Sequence, residues 1–485
     1  MYFSKSKVLA GLRCEKQLYL YAHHPELANQ STSPTTVTGQ VVEEYAHREF
    51  PNAVLVERGS PGSDPYEATK ALLADNKIKT IFEAGIRDNE LALFVDVLQR
   101  NGSAWELTEI KAGTRVEDRH IDDVAIQALA LARSGIPVNR FWLMHINPDF
   151  VYHGQHNYRD LFVREDITEQ VEHHILFINN QIPHMQSVVV GAQPERHIGS
   201  YCNNPYPCAF KAYCVSQEPA YPVAYLPNGW RVAQTLIAQG IYDIRDIPPD
   251  ALKSETHQRV RRVTKAAKAE ILPGAKEELD ALDWPRYYLD FECVQFAIPI
   301  WEDTRPYAQL PFQWSCHIKT STDTLEHLDF LDTSGRDPRR AFAEALLEAC
   351  GEWGPIIVYN QSFEKRIIRE LAETFTDLQD RLLALNARVF DLLPVVKQNY
   401  YHPDMKGSWS IKNVLPCLVP ELSYSDLGDV QDGIQAQAGY LTIIGGELNS
   451  AKQEALRQDL LSYCELDTYA MVAIVNRLIK GVGDN

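Results

Sequence analysis

The sequence lacks any run of 18 apolar residues, so it predicts no helix able to cross a membrane. Its start also lacks a long apolar segment followed by small residues, which is the pattern of a cleaved secretion signal. It contains no tract of low complexity and no detectable internal repeat, which predicts that its two halves differ in structure. These absences predict a soluble, cytoplasmic protein with no membrane partner.

Positive charge is also scarce, because 47 Lys and Arg residues face 65 Asp and Glu residues and the net charge is −18. Such a surface does not favour general binding of polyanions, although bound metals and local basic patches can overcome it. The nine cysteines are an odd number, and no two of them form a Cys-x-x-Cys pair. In a chain expected to stay in the cytoplasm, they are interpreted as thiols or metal ligands rather than disulfides.

What is present is a globular composition, 45% apolar and 23% charged, over 485 residues. This length suits two or three domains with ordinary cores. Turn signals and apolar patterns predict an α/β fold class with three segments. Residues 1–217 are predicted to hold strands, a helix and a closing cysteine segment; residues 218–282 form a helical linker; residues 283–485 alternate strands with helices.

Asp290 and Glu292 lie in the segment RYYLDFECVQ, which is predicted to be a buried strand. Alternate residues of a strand share a face, so these two carboxylates converge. They repel unless a cation lies between them, and a divalent metal is the natural candidate because it prefers oxygen ligands. Glu364 is predicted in the first turn of a helix, and Tyr463 and Asp467 are one helical turn apart. Four acids and a tyrosine suit two-metal phosphodiester hydrolysis, in which the tyrosine orients the attacking water.

These residues form the ordered motifs DFE, NQSFE and YCELD. The region resembles the DEDD (DnaQ-like) exonucleases of the ribonuclease H-like fold, in the tyrosine subclass. The resemblance implies a 3′–5′ exonuclease that uses Mg²⁺ or Mn²⁺. This chain departs from the family pattern at Glu364, where the family usually has Asp, and Asp391 is the reserve fourth ligand. The stretch GSWSIKNVLP also resembles a Ser-Leu-Lys stretch of related exonuclease-like families.

In the first segment Asp96 lies on one predicted strand, and Glu109 and Lys111 lie on the next. This pattern resembles the PD-(D/E)xK nucleases. The resemblance implies that Asp96 and Glu109 bind a metal, while Lys111 positions the attacking water and offsets charge at the phosphate. It also assigns a role to Gln127 on the following helix. The candidates for an additional metal ligand on an earlier helix are Glu44 and His47.

Four cysteines flank this nuclease-like core, with Cys14 before it and Cys202, Cys208 and Cys214 after it. The arrangement resembles the iron–sulfur nucleases of the RecB/AddB type. It implies a [4Fe–4S] cluster that ties the two ends of the domain together. Zinc is the alternative because four thiolates also bind it, although the lack of a Cys-x-x-Cys pair disfavours zinc. As a whole the chain resembles an uncharacterised bacterial family that fuses the two nuclease-like modules.

The hypothesis from the sequence is a metal-dependent nuclease with two active sites, acting on DNA in repair, recombination or defence. The alternatives are a nucleic-acid-binding scaffold with one or both sites inactive, and an RNA-processing exonuclease. The linker resembles a helix-hairpin-helix element, and its basic helix is interpreted either as a phosphate-binding surface or as a solvated face. The residues predicted to contact phosphates are Arg259, Arg262 and Lys265.

Overall fold

The computed structural model describes residues 2–29, 34–58, 64–446 and 448–481, apart from the side chains of residues 34–36 and 426. These residues form a mixed α/β fold with three sheets. They divide into two compact units, the first comprising Met1–Gln217 and Phe296–Tyr307 and the second Glu218–Gln295 and Ala308–Asn485. No helix in the described part of the chain is both long and apolar enough to span a membrane.

The first unit contains a six-stranded mixed sheet whose strands follow one another in chain order. The strands are β1 (Val54–Leu55), β2 (Thr80–Arg87), β3 (Ala92–Asn101), β4 (Ala104–Lys111), β5 (Val138–Ile146) and β6 (Phe162–Asp166). The helices are α1 (Lys5–Arg13), α2 (Glu15–His23), α3 (Pro34–His47), α4 (Pro65–Ala74), α5 (Asp118–Arg133), α6 (Thr168–Val190) and α7 (Lys211–Ser216).

The successive strands predicted to carry Asp96 and Glu109 are confirmed as β3 and β4, which form an antiparallel meander with β2. β3 turns into β4 at Gly102, whose φ of 62° suits glycine. β4 and β5 run parallel, and α5 makes the crossover that a parallel pair requires. α5 contributes Val124, Ala125 and Leu129 to the core of the sheet. The crossover therefore presents one face of α5 to the carboxyl end of β4.

The second unit contains a five-stranded sheet in the order β10-β9-β8-β11-β12 and a two-stranded sheet of β13 and β7. The strands are β7 (Glu270–Ile271), β8 (Arg286–Val294), β9 (Leu310–Lys319), β10 (Leu325–Leu331), β11 (Ile356–Val358), β12 (Val389–Asp391) and β13 (Tyr400–Tyr401). The helices are α8 (Trp230–Ala238), α9 (Glu255–Ala266), α10 (Gly274–Asp280), α11 (Arg339–Ala349), α12 (Ser362–Thr374), α13 (Gln379–Ala387), α14 (Leu392–Asn399), α15 (Ile411–Leu418), α16 (Gly433–Ile444) and α17 (Ser450–Lys480).

β8 is the central strand of the larger sheet, antiparallel to β9 and parallel to β11. The helix predicted to carry Tyr463 and Asp467 is confirmed as α17, whose first turn is capped by the side chain of Asn449. The segment predicted as a helical linker lies within this second unit. It contributes Leu236 and Val260 to the same apolar core as Met471 of α17. α17 packs against β8 and β9, which brings two distant parts of the sequence together.

Candidate active sites and the cysteine cluster

The acids of the second unit converge where α17 crosses β8. Asp290 and Glu292 occupy alternate positions of β8, so both point to the same side of the sheet. Asp467 lies on the buried face of α17. Each of the three residues offers a carboxylate oxygen within 4.8 Å of the others. The structure therefore brings together three of the four acids predicted for this site.

The pKa values of these carboxyl groups reflect the crowding of negative charge in a buried place. Burial, and then the charges of Asp467 and Glu292, raises the pKa of Asp290 well above its ordinary value. Burial, and then the charge of Asp467, raises the pKa of Glu292 to about 8. Burial also raises the pKa of Asp467, although hydrogen bonds lower it in part. Without a bound cation, the cluster would hold protons at neutral pH.

Two tyrosines contact Asp467. The predicted Tyr463 is buried and hydrogen-bonds the Asp467 carboxylate from the same helix. Tyr424 was missed by the sequence interpretation, and its hydroxyl donates to Asp467 Oδ1 at 2.5 Å. Burial, and then the charge of Asp467, raises the pKa of both phenols, so both remain donors. Tyr424 is 43 residues from Asp467, in a short 3₁₀ turn without a motif of its own.

Glu364 lies in the first turn of α12, and its side chain is buried. Its charge contributes to the raised pKa values of Asp290 and Glu292. Burial, and then the charge of Asp391, raises the pKa of Glu364 itself to about 8. Glu364 Oε2 is buried and has no hydrogen-bond partner among the described residues. It is thus near the cluster, although outside the group of three.

Asp391, the reserve candidate for the fourth metal ligand, forms hydrogen bonds with the backbone. Its Oδ1 accepts hydrogen bonds from the backbone N–H groups of Leu393 and Asn360, at 3.0 and 2.9 Å. It therefore caps α14 and fixes the backbone that leads into α12. Because Asp391 accepts from the backbone N–H of Asn360, just before α12, it supports the segment that carries Glu364.

Lys412 is the basic residue of the GSWSIKNVLP stretch, in the first turn of α15. Its Nζ lies 5.1 Å from the ring centroid of Tyr463 and 5.2 Å from that of Tyr424. It donates to the backbone oxygen of Gln431 at 2.8 Å. Its charge opposes the raised pKa values of Glu292 and Asp467. The cluster is therefore acidic at its centre and has one lysine beside its tyrosines.

Glu109 is the centre of the site in the first unit. It is buried on β4 and accepts from Lys111 Nζ at 2.5 Å, Gln127 Nε2 at 2.6 Å and Lys5 Nζ at 2.9 Å. Burial alone would raise its pKa, but the charges of Lys111 and then Lys5 hold the pKa well below its ordinary value. Glu109 is thus ionised, and the structure brings the predicted Lys111 and Gln127 to it.

Asp96 and Asp123 complete this cluster. Asp96 Oδ2 accepts from the backbone N–H of Ile110 at 2.9 Å. Burial, and then the charge of Glu109, raises the pKa of Asp96 to about 7. Asp123 pairs with Lys111, and with Lys5 at 3.1 Å. Asp123 was missed although it precedes Gln127 by one turn of α5. Lys5 carried no sequence signal because it is 104 residues from Glu109.

The two candidates for an additional ligand on α3 have different surroundings. The Glu44 side chain is 71% exposed and pairs with Arg48, so the structure does not bring it to the cluster. His47 stacks on Phe82 of β2, with ring centroids 3.8 Å apart, and therefore faces the sheet. Burial lowers the pKa of His47, which favours a neutral imidazole. The physical reason is helical geometry, since Glu44 and Arg48 share the outer face of α3.

The four predicted cysteines line one small pocket together with Arg13, Lys16 and Arg196. Cys14 lies between α1 and α2, whereas Cys202, Cys208 and Cys214 follow α6. The backbone N–H of Cys208 donates to the oxygen of Cys202 at 2.8 Å. Arg13 binds the backbone oxygens of Tyr201 and Tyr206 at 2.7 and 2.6 Å, which ties the two segments together. The structure thus places both ends of this unit around the four thiols.

The basic helix is confirmed as α9, but its cations differ in availability. Arg259 donates to Glu270 at 2.6 Å and to the backbone oxygens of Lys397 and Gln398 at 2.9 Å each. Arg262 also binds Glu270, while Lys265 is exposed. Arg259 is therefore committed to internal contacts, which leaves Arg262 and Lys265 better placed for a phosphate.

The known proteins and the family model that this chain matches have descriptions that state no activity. A family model described as "Domain of unknown function (DUF2779)" matches residues 287–410, which include Asp290, Glu292 and Glu364. "Uncharacterized protein UU173" of Ureaplasma parvum serovar 3 is 25% identical over 246 residues, covering 46% of this chain and 36% of that protein. "Uncharacterized protein MG366 homolog" of Mycoplasma pneumoniae is 27% identical over 208 residues, covering 39% and 31%. The alignments span about a third of these relatives' lengths.

Proposed function

We propose that the second unit is a metal-dependent nuclease, a DEDD-type 3′–5′ exonuclease of the ribonuclease H-like fold, with DNA as the leading substrate. The observation that carries the proposal is the convergence of Asp290, Glu292 and Asp467 within 4.8 Å. The three carboxylates come from the central strand and the final helix. Among the described residues, their side-chain contacts are with the Tyr424 hydroxyl and the Cys464 thiol rather than with a lysine or arginine. A site that concentrates buried negative charge in this way is suited to a cation.

The donor set fits Mg²⁺ or Mn²⁺, because these hard cations prefer oxygen ligands. Asp290, Glu292 and Asp467 would hold the metal, and Glu364 would join them through its buried Oε2, which has no partner among the described side chains and backbone groups. Bound divalent metal would supply an activated hydroxide and stabilise charge on the leaving oxygen.

The surrounding residues have roles that follow from their contacts. Tyr424 and Tyr463 donate to Asp467 and so fix the direction of its carboxylate. Tyr463 would also orient the attacking water, because its pKa stays raised and it keeps its proton. Lys412 adds positive charge beside the tyrosine rings, where it would attract the phosphate and stabilise its developing charge.

The test is digestion of end-labelled single- and double-stranded DNA and RNA with Mg²⁺ or Mn²⁺. Asp467→Asn should remove 3′-end trimming, because the nearly isosteric amide keeps the fold but loses the ligand charge. Asp329→Asn, an exposed acid on β10, is the matched control and should trim normally. Trimming by Asp467→Asn and by Asp290→Asn at the rate of the control would overturn the proposal. The preferred substrate in the same assay distinguishes DNA processing from RNA processing.

A second nuclease site, of the PD-(D/E)xK type, is proposed for the first unit. The convergence of Lys111 and Gln127 on Glu109, beside Asp96, supports it. Lys5 opposes metal binding at this site, because its ammonium group contacts Glu109 and Asp123 where a metal would bind. If this site cuts, Lys111→Ala should remove an activity that survives in Asp467→Asn. If Lys111→Ala equals wild type on every substrate, the first unit is a nucleic-acid-binding platform.

The cysteine pocket is proposed to hold an iron–sulfur cluster that clasps the two ends of the first unit. Tetrahedral zinc with Zn–S bonds of about 2.3 Å brings thiolate sulfurs to roughly 3.8 Å of one another. Among the described residues, no three cysteine sulfurs lie within 4.8 Å of each other. The four thiols are therefore not arranged for a single tetrahedral ion, and Arg13, Lys16 and Arg196 would offset the thiolate charge of a larger cluster.

A further inference from the structure

A group of two histidines and a glutamate lies beside the acidic cluster of the second unit but separate from it. His317 on β9 and His327 on β10 are directly opposite each other in the antiparallel pair, so both point to the same side of the sheet. Their ring centroids are 4.6 Å apart. Glu465 on α17 is the third member, and all three offer a ligand atom within 4.8 Å of the others.

Each imidazole is oriented by a hydroxyl group. His317 Nδ1 is 2.8 Å from Thr468 Oγ1, and His327 Nε2 is 2.9 Å from Ser315 Oγ. The two hydroxyls contact each other at 2.8 Å, which closes a chain from one ring to the other. The ring nitrogens outside these bonds are His317 Nε2 and His327 Nδ1, and the latter is 3.9 Å from Glu465 Oε1.

The surroundings of the group also suit a metal. His317 is only 4% exposed, and a neutral imidazole keeps one ring nitrogen with a lone pair to donate. The Glu465 side chain is 52% exposed, so the site opens to solvent on one side. An ion there would have three protein ligands and room for a water.

We propose that His317, His327 and Glu465 bind a transition-metal ion of the zinc class. Two imidazoles and a carboxylate are a common zinc ligand set, whereas Mg²⁺ prefers oxygen ligands alone. Metal-binding histidines usually donate the N–H of their second ring nitrogen to an oxygen, and here the hydroxyl oxygens of Thr468 and Ser315 are placed to accept it.

The position of this site predicts a structural role. Thr468 directly follows Asp467 on α17, and Ser315 is opposite Asp290 in the β8–β9 pair. An ion held by β9, β10 and α17 would therefore fix the helix to the sheet next to the acidic cluster. We expect it to stabilise the fold without contacting the substrate.

The test uses the full chain, stripped of metal and kept in excess Mg²⁺ so that the acidic cluster does not take up zinc. Zinc affinity is measured by competition with a chromophoric chelator. Thermal unfolding is followed with and without Zn²⁺. Glu465→Gln and His327→Ala should each weaken the binding of one zinc ion at least tenfold and remove the accompanying rise in Tm. Glu326→Gln, an exposed acid on β10, should retain both.

Cobalt substitution separates this site from the cysteine pocket, because only cobalt bound to thiolates gives thiolate charge-transfer absorption. Wild-type protein should show weak visible bands that disappear in Glu465→Gln, while any thiolate bands remain. Glu465→Gln is the decisive variant if His327→Ala fails to fold, since the change lies on a half-exposed side chain. Equal zinc affinity and equal cobalt spectra in wild type and Glu465→Gln would overturn the proposal.

Discussion

Replacing Glu292 by glutamine should stabilise the metal-free protein and abolish nuclease activity at the same time. Glutamine keeps the size of the side chain but removes one charge from the buried acidic cluster. In the folded protein, burial and then the charge of Asp467 raise the pKa of Glu292 to about 8, from an ordinary value of 4.5. The change therefore relieves repulsion in the folded state and removes a proposed metal ligand.

The magnitude follows from the linkage between protonation and folding. Between pH 4.5 and about 8 the folded state binds more protons at Glu292 than the unfolded state, so stability falls as pH rises through this window and levels off above it. At about 1.4 kcal/mol per pKa unit, the loss attributable to Glu292 is on the order of 2–3 kcal/mol from about pH 6 to about pH 9. Glu292→Gln should lack this loss.

The assay is thermal or urea unfolding in EDTA across this pH range, followed for the transition of the second unit. Asp96 in the first unit has a pKa raised to about 7 and contributes a loss of the same sign. Because Asp96 is present in both proteins, the difference between wild type and Glu292→Gln isolates the acidic cluster. Adding Mg²⁺ should reduce the pH dependence in wild type only. Identical pH profiles for the two proteins in EDTA would refute the reasoning.

Three further predictions concern Lys5, the cysteine pocket and the basic helix α9. Lys5→Met should strengthen Mn²⁺ binding by the first unit at least tenfold in isothermal titration, because the substitution removes a positive charge that contacts Glu109. Lys70→Met, which removes an exposed lysine, is the control and should leave Mn²⁺ binding unchanged. Anaerobically purified protein should be brown, with broad absorption at about 400 nm as expected for thiolate-bound iron, and Cys208→Ser should bleach it. Colourless protein with a zinc ion that is lost in Cys208→Ser would refute the iron assignment and leave only the clasp role. Arg259→Ala should lower the free energy of unfolding by about 2–3 kcal/mol, because it removes charged hydrogen bonds to Glu270 and to a backbone oxygen. Lys265→Ala should leave stability unchanged, because Lys265 is exposed, but should weaken nucleic-acid binding in a salt-dependent way.

The elements that carry the sites were predictable because their signals are local. β8 is an apolar run interrupted only by its acids, and α17 combines a capping asparagine with a long helical pattern. The spacing of Asp290 and Glu292 directly predicts that they share a face, and the structure agrees. Gln127 was predicted only through the resemblance to the PD-(D/E)xK nucleases, and the structure places its amide 2.6 Å from Glu109.

The residues that were missed contribute through tertiary contacts alone. Lys5 reaches Glu109 because α1 packs near the sheet, and nothing in the sequence around Lys5 indicates that contact. Tyr424 reaches Asp467 from a short turn in the same way. Glu44 shows the opposite failure, because the pattern predicts the helix correctly but does not fix which of its side chains faces the sheet. His317 and His327 are adjacent only through strand register, which a single sequence does not supply.

The two acidic sites offset buried charge by different means, and this difference predicts how they respond to metal. In the first unit the carboxylates of Glu109 and Asp123 are neutralised by contacts with Lys5 and Lys111. In the second unit Asp290, Glu292 and Asp467 have tyrosine hydroxyls and a lysine that lies beside the tyrosine rings. Lys5 and Lys111 belong to the same chain as these acids, so the first cluster is neutralised without an external ligand. The second cluster must bind either protons or an external cation. Divalent metal should therefore raise the unfolding temperature of the second unit far more than that of the first, and the stability of the second unit should report metal occupancy even where no substrate is present.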